Sequence, residues 1–294
     1  MVEEAIRKAD VLIEALGYIR QFRHKTIVVK LGGSVLEHED TLQAMLQDLV
    51  FMETVGLRPI LVHGGGKAIS QAMDRAGLEP HFIQGRRYTD EKTMDIVAQV
   101  LAEEINADIV RRIEELGGWA MGLHHRSTNC LFGEKIHLWE DGKPIDLGRV
   151  GKVTRLDDTR LHKLCSAGII PVLPSVAMDR EGNLLNVNAD TAASAVAELL
   201  RAEKLIFVSD TPGILSDPSD ADSLLRSLDA RECAQLIEEG VIRSGMIPKV
   251  EACLESLRRG VGKTHMVDGR VRHSLLLEIY TERGVGTEIV LDHG

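Results

Sequence analysis

Short runs rich in β-branched and aliphatic residues recur along this chain, parted by stretches with helical periodicity. Thr26–Leu31, Pro59–His63, Trp119–Leu123, Ile169–Pro174, Leu205–Ser209 and Thr264–Asp268 read as strands. Asp40–Val55, Lys67–Ala76, Glu91–Leu116, Asp190–Leu200, Ala230–Glu239 and Pro248–Arg259 read as the helices between them. Strands separated by helices of this length form βαβ units. The spacing therefore predicts an α/β fold with a mainly parallel sheet and helices on both faces.

Residues 1–24 stand outside that rhythm. Ala5, Ala9, Leu12, Ile13, Leu16, Ile19 and Phe22 recur at three- and four-residue intervals, which reads as a free-standing amphipathic helix. The polar stretch from Arg126 to Thr159, with a turn at Asp141-Gly-Lys-Pro144, reads as hairpins rather than another βαβ unit. A new strand–loop series begins near Arg201, so a lobe boundary is placed there: 1–24, 25–200 and 201–294.

A net charge of -10 with 3% aromatic residues argues against a nucleic-acid partner, which rewards basic grooves and stacking rings. The cysteines at 130, 165, 233 and 253 form no C-x-x-C pair and read as free thiols in a reducing compartment. No signal peptide and no membrane-length apolar run is visible, so a cytoplasmic protein without a membrane partner is expected.

Chemistry concentrates where strands end. Thr26-Ile-Val-Val-Lys-Leu-Gly-Gly-Ser34 carries Lys30 near a strand terminus, followed by Gly32 and Gly33, whose backbone can approach an anion closely. Pro59-Ile-Leu-Val-His-Gly-Gly-Gly-Lys67 repeats the plan, with Gly65 and Gly66 at a helix N-terminus. Neither is a Walker A loop or a G-x-G-x-x-G turn. Gly85-Arg-Arg-Tyr-Thr-Asp90 supplies Arg87, suited to a bidentate carboxylate contact, although such a pair on a loop is commonly only solvated. In Leu185-Asn-Val-Asn-Ala-Asp-Thr191, Asn186 and Asn188 face one side of an extended segment, without evident helical or turn duty. Asp190 fits either an N-cap or a site residue. Ser244-Gly-Met-Ile-Pro-Lys249 sets Lys249 at a helix start, where the dipole disfavours a cation unless an anion lies near.

In this order and spacing, the five stretches resemble the amino acid kinase family from about Lys25 to Ile289. The resemblance implies an open three-layer αβα sandwich in two lobes, one for the amino acid and dimerisation, one for ATP. It also implies transfer of the ATP γ-phosphoryl group to the γ-carboxylate of N-acetyl-L-glutamate, with Mg2+ carried on the nucleotide and no protein-only metal site. By motif, Lys30 and Lys249 would stabilise the phosphoryl group and Asp190 would orient them. The amides of Gly33, Gly65 and Gly66 would bind its oxygens, and Arg87, Asn186 and Asn188 would hold the substrate. Ser209, Asp210, Thr211 and Gly213, in Lys204-Leu-Ile-Phe-Val-Ser-Asp-Thr-Pro-Gly213, would face the nucleotide, with Gly32 on the phosphates.

His273-Ser-Leu-Leu-Leu-Glu-Ile-Tyr-Thr-Glu-Arg-Gly-Val-Gly-Thr287 resembles the signature of arginine-sensitive members, which are hexamers joined through N-terminal helices. Tyr18, His273, Glu278 and Gly284 would then contact arginine; otherwise Leu275, Leu276 and Ile279 are plain core and Glu278 a surface charge. The sequence also departs from the family. His124-His-Arg-Ser-Thr-Asn-Cys130 replaces a glycine–aspartate loop, and Ser244 replaces a motif glycine. A kinase for an aminoadipate derivative, another member such as an aspartokinase or nucleoside monophosphate kinase, and a silent ATP- or amino-acid-binding regulator remain open.

Overall fold

The run Thr26–Leu31 forms a strand, β1, whose alternate residues enter two different cores. Val28 faces one, while Ile27, Val29 and Leu31 face the other, all essentially without solvent exposure. A strand covered on both faces must be paired on both edges, because no water remains to satisfy its backbone. It runs parallel to β2 (Arg58–His63) on one side and to the Lys204–Ser209 strand on the other.

The computed structural model describes residues 2–140, 142–217, 219–243 and 246–292. Asp141 of the sequence-predicted turn and Ser244 and Gly245 of the second lysine motif lie outside them. Numbered on in chain order, the other sheet strands are β3 (Ala120–Gly122), β4 (Ile170–Pro174), β5 (Lys204–Ser209), β6 (Ser227–Leu228), β7 (Lys263–Asp268) and β8 (Thr287–Ile289). They form one eight-stranded sheet in the order β6-β8-β7-β5-β1-β2-β4-β3. All neighbours are parallel except β7 with β8.

The helices are α1 (Val2–Phe22), α2 (Gly33–Glu37), α3 (Glu39–Thr54), α4 (Gly66–Arg75), α5 (Glu91–Ala98), α6 (Asn106–Glu115), α7 (Asp158–Ser166), α8 (Ala189–Leu200), α9 (Ala230–Glu238), α10 (Ile247–Arg258) and α11 (Ser274–Tyr280). Residues of α7, α8, α9 and α10 pack on one face of the sheet; those of α3, α6 and α11 pack on the other. The fold is thus the three-layer αβα sandwich expected. The sheet runs unbroken through the sequence boundary at Arg201, since β5 beyond it pairs with β1 before it.

The anticipated strands and helices agree to within a residue or two, with one change inside the long Glu91–Leu116 helix. There, Gln99–Ile105 forms a π-helical turn between α5 and α6. The polar stretch after Arg126 does form hairpins: Leu131–Lys135 pairs antiparallel with Val150–Leu156, and Leu138–Glu140 with Lys143–Ile145. The former pair closes a small barrel with Val176–Met178 and Leu184–Val187. Helices α2, α7 and α11 and strands β6 and β8 were not anticipated, being too short to show a period.

Helix α1 is less free-standing than its sequence suggests. Val11, Leu12 and Ile13 are 63%, 68% and 69% exposed, so the apolar face of its outer part meets no other element of the protomer. Its root is embedded: Tyr18 and Ile19 pack against the α3/α11 core, and Phe22 is buried with the Lys204 ammonium 5.1 Å from its ring. We expect Phe22→Ala to destabilise the protomer by about 3 kcal/mol, and Ile6→Ala by less than about 0.5 kcal/mol, in denaturant unfolding.

Candidate active site

Beyond Leu31 and His63, where the β1–β2 ladder ends, both chains turn through glycine. Gly32–Gly33 leads into α2 and Gly64–Gly66 into α4, and the first amides of a helix lack acceptors within it. Gly65 packs closely on the π-turn: a Cβ there would stand 2.4 Å from Ile105 Cδ1 and 2.8 Å from Leu101 Cδ2 and would push those two side-chain tips aside. Over these turns opens a cleft of about 560 Å3, lined by Lys30, Gly33, Gly65, Gly66, Arg87, Asn186 and Asn188 among others. Its place, at the carboxyl ends of parallel strands, is where open α/β sheets bind ligands.

Lys30 leaves β1 with its side chain 12% exposed, and its Nζ lies 2.7 Å from Asp190 Oδ1. The contact is an ion pair rather than an aligned hydrogen bond, since Oδ1 has no hydrogen-bond partner among the described residues. Asp190 occupies the first turn of α8, where the dipole favours a carboxylate. It is not the N-cap. Asn188 is, its Oδ1 accepting from the amides of Asp190 (2.9 Å) and Thr191 (3.1 Å). Asn188 therefore does have helical duty, contrary to the sequence-based expectation, and only its Nδ2 is left to face the cleft.

Arg87 is buried rather than solvated. One terminal nitrogen donates to Gly66 O (2.9 Å) and Ser70 Oγ (2.8 Å), the other to Met73 Sδ, and the Phe82 ring lies 4.8 Å from its guanidinium carbon. No described carboxylate stands within ion-pair distance, and burial lowers its pKa. Asn186 joins it through Thr89, a residue the sequence did not single out: Asn186 Nδ2 donates to Thr89 Oγ1, which donates to Arg87 O. Asn106 and His63 form a second overlooked pair. Asn106 Nδ2 lies 3.0 Å from His63 Nε2, whose Nδ1 faces Gly64 O, so the imidazole buttresses the glycine turn. Neither pair has a local sequence signal.

Other candidates sit apart from the cleft. The Gly32 amide is engaged with Val208 O at 3.0 Å and is not free for phosphate. Ser209, Asp210 and Thr211 stand at the end of β5, beside β1, with Ser209 Oγ 3.0 Å from Thr211 Oγ1. Gly213 has φ +123, and a Cβ would strike Thr287 Oγ1 at 2.5 Å, so it serves the turn. Lys249 is half-buried in the first turn of α10. It and Asp190 both act electrostatically on Cys253, one turn further along α10, so α10 sets it on the α8 side of the sheet.

Three of the four residues expected to meet arginine are already partnered. Glu278 is buried; its Oε1 lies 2.7 Å from His265 Nδ1 and its Oε2 accepts from the amides of Val285 and Gly286. His273 Nδ1 lies 2.6 Å from Asp48 Oδ1, and the Gly284 carbonyl accepts from Arg226 at 2.7 Å. Leu275 and Ile279 are core. No group of three or more His, Cys, Asp or Glu able to hold a metal occurs among the described residues.

A cleft of glycine amides, an ion-paired lysine and a buried arginine with no carboxylate in contact among the described residues, set at strand ends, is built for anionic ligands. A family model described as the amino acid kinase family matches residues 25–268. The acetylglutamate kinases of Heliobacterium modesticaldum and Methanothermobacter thermautotrophicus are each 43% identical, over 98% and 97% of this chain and 99% of each relative. N-acetylglutamate synthase from Neisseria gonorrhoeae, complexed with coenzyme A and N-acetyl-glutamate, superposes with TM-score 0.85 at 27% identity over 97% of this chain. The chain spans 64% of that synthase's length. Giardia carbamate kinase, 14% identical with TM-score 0.62, shares the fold. The chain belongs to the amino acid kinase family.

His63 gives the cleft a pH signature. Complete burial pushes its imidazole down to about 4, against about 6.5 when unfolded. The unfolded chain thus takes up a proton that the folded one refuses. This contribution to stability is complete above pH ~6.5 and is lost as pH falls toward ~4, by up to about 3 kcal/mol. Urea unfolding across that window should show the slope in the native protein and a flatter one in His63→Gln.

Proposed function

We propose that this chain transfers the γ-phosphoryl group of ATP to the γ-carboxylate of N-acetyl-L-glutamate, yielding N-acetyl-L-glutamyl 5-phosphate and ADP, a step of arginine biosynthesis in the cytoplasm. The observation that carries the reading is Arg87: a buried guanidinium at the cleft that no described carboxylate reaches at ion-pair distance, Asp74 acting only from further off, so that a substrate carboxylate would supply the contact. Full-length likeness to acetylglutamate kinases supports the identity of that substrate. Residues 25–200 would hold the acyl amino acid and 201–294 the nucleotide.

In this reading a γ-carboxylate oxygen attacks phosphorus as the bond to the β,γ-bridging oxygen breaks, and ADP leaves with that electron pair. The nucleophile is already ionised at neutral pH, so no general base is required. Catalysis rests on alignment and charge neutralisation. The Gly33, Gly65 and Gly66 amides bind the equatorial oxygens, Asn186 and Asn188 orient the substrate, and Lys30, steadied by Asp190, and Lys249 offset developing charge. Mg2+ travels on the ATP oxygens. Lys249→Ala should lower kcat by about 100-fold or more with little change in KM for ATP. Arg87→Ala should instead raise KM for the acyl amino acid by about 10- to 100-fold. Coupled ADP release with N-acetylglutamate, aspartate and an N-acetylated aminoadipate tests the assignment; preference for either alternative substrate would overturn it.

Assembly and regulation belong to the same proposal. β3 is an edge strand flanked by exposed Trp119 (73%) and bearing exposed Met121, which suits pairing with a second copy. The uncovered apolar face of α1 suits helix pairing between dimers, giving a hexamer. Arginine would bind at the α1 root, near Tyr18 and the His273–Thr287 segment. Arg226 already sets a guanidinium on the Gly284 carbonyl, the contact an effector would make. Deleting residues 1–16, which spares the embedded root, should leave an active dimer by light scattering whose inhibition by millimolar-range arginine is lost. A native protein that is dimeric and indifferent to arginine would remove this part of the proposal.

A further inference from the structure

The two glycine turns form a thin wall. On one side is the catalytic cleft; on the other is a second cavity of about 250 Å3, and Gly33 and Gly65 line both. The turns differ in what stands behind them. Gly65 rests on Leu101 and Ile105, whereas a Cβ on Gly33 would meet nothing within 4 Å. The β1–β2 ladder ends before both turns, at Leu31 and His63, and no backbone hydrogen bond joins them among the described residues. The Gly33 turn is held on its far side by β5, where the Gly32 amide donates to Val208 O at 3.0 Å, so its spacing from the Gly65 turn is set by side chains.

One polar contact crosses from α2 to α4: Lys67 Nζ donates to Glu37 Oε2 at 2.7 Å. Lys67 stands in the first turn of α4, where the dipole penalises a cation and no acid of that turn offsets it. Glu37, at the junction of α2 and α3, supplies the missing counter-charge from another element.

We propose that Glu37 and Lys67 are a positioning pair that sets the spacing of the Gly33 turn from the Gly65–Gly66 turn, so that amides from both converge on one phosphoryl group. This rests on the phosphoryl-transfer reading above. Neither residue touches substrate. The side chains are 34% and 63% exposed, so the effect is modest and screened by salt.

The test is the set Lys67→Met, Glu37→Gln and the charge reversal Glu37→Lys with Lys67→Glu. Each is read by acyl-phosphate formation and by amide hydrogen exchange across Gly33–Leu36 in the ligand-free protein. Each single variant should lose about two- to fivefold in kcat, with both KM values and the melting temperature little changed. Exchange at Gly33–Leu36 should accelerate, and the reversal should restore both readouts. High salt should lower kcat in the native protein but not in the single variants. Unchanged kcat and exchange in the single variants, or losses that the reversal leaves in place, would overturn the pair's role. If the native protein did not phosphorylate N-acetylglutamate, the functional reading would fail separately, and exchange would still decide whether the pair holds the turn.

Discussion

Burial of β1 on both faces and both edges is the constraint from which the rest of the architecture follows. The middle of such a strand admits no charge, and Ile27, Val28 and Val29 comply; Lys30 comes only next to its end, where its side chain reaches the rim. Polar chemistry is therefore confined to the two rims of the sheet. At the carboxyl rim, β5, β1 and β2 end at neighbouring levels, with Lys30 in register with Phe207 and Val62. Their turns and helix starts thus open onto common space, and the cleft follows from the ladder.

Within that space charge is arranged asymmetrically. Lys30 has its own carboxylate, on a helix start that stabilises it, so its side chain is fixed before a ligand arrives. Arg87 has only neutral partners: a carbonyl, a hydroxyl and a sulfur. Leaving a guanidinium buried without an anion costs stability, and a binding anion recovers it. The first arrangement gives order and the second gives affinity. A cleft with both can align an anion without holding every cation in reserve.

The sheet was legible in the sequence because its central strands are buried and continuous, and because the helices between them are long enough to show a period. Short elements were not: β8 has three residues and β6 two, and their pairing depends on β7 rather than on their own composition. Glycines were legible where backbone geometry forces residue type, as at Gly213. Site residues were illegible where a side chain acts through a distant partner. Asn106 lies 43 residues from His63, and Thr89 lies 97 residues from Asn186, so no local spacing reveals either contact. Asn188 was misread for the reverse reason: its local duty as a cap became visible only once α8 began at Ala189. Of the two readings of Glu278, the surface charge fails, because a carboxylate on a short helix looks exposed until its partners, from β7 and the following loop, are in place.

The opposite rim obeys the same rule with a different result. Lys204 begins β5, and its Nζ lies 3.0 Å from His265 Nε2, while His265 Nδ1 meets Glu278 on α11. Burial pushes the Lys204 ammonium down to about 8. Burial opposes ionisation of Glu278 too, but His265 and two backbone amides outweigh it and hold the carboxylate below its ordinary value. Lys204 sits against Phe22, the last residue of α1, which enters β1 after only three more residues. From Thr26 to Lys30 the strand then rises roughly 13 Å, at about 3.3 Å per residue. The amino-rim network and the carboxyl-rim cleft are thus the two ends of one inextensible element. A shift of α1 that carried Phe22 with it would disturb the buried Lys204–His265–Glu278 hydrogen bonds or move β1 as a unit. The chain has placed its most embedded charges at the end where the first alternative is the harder one.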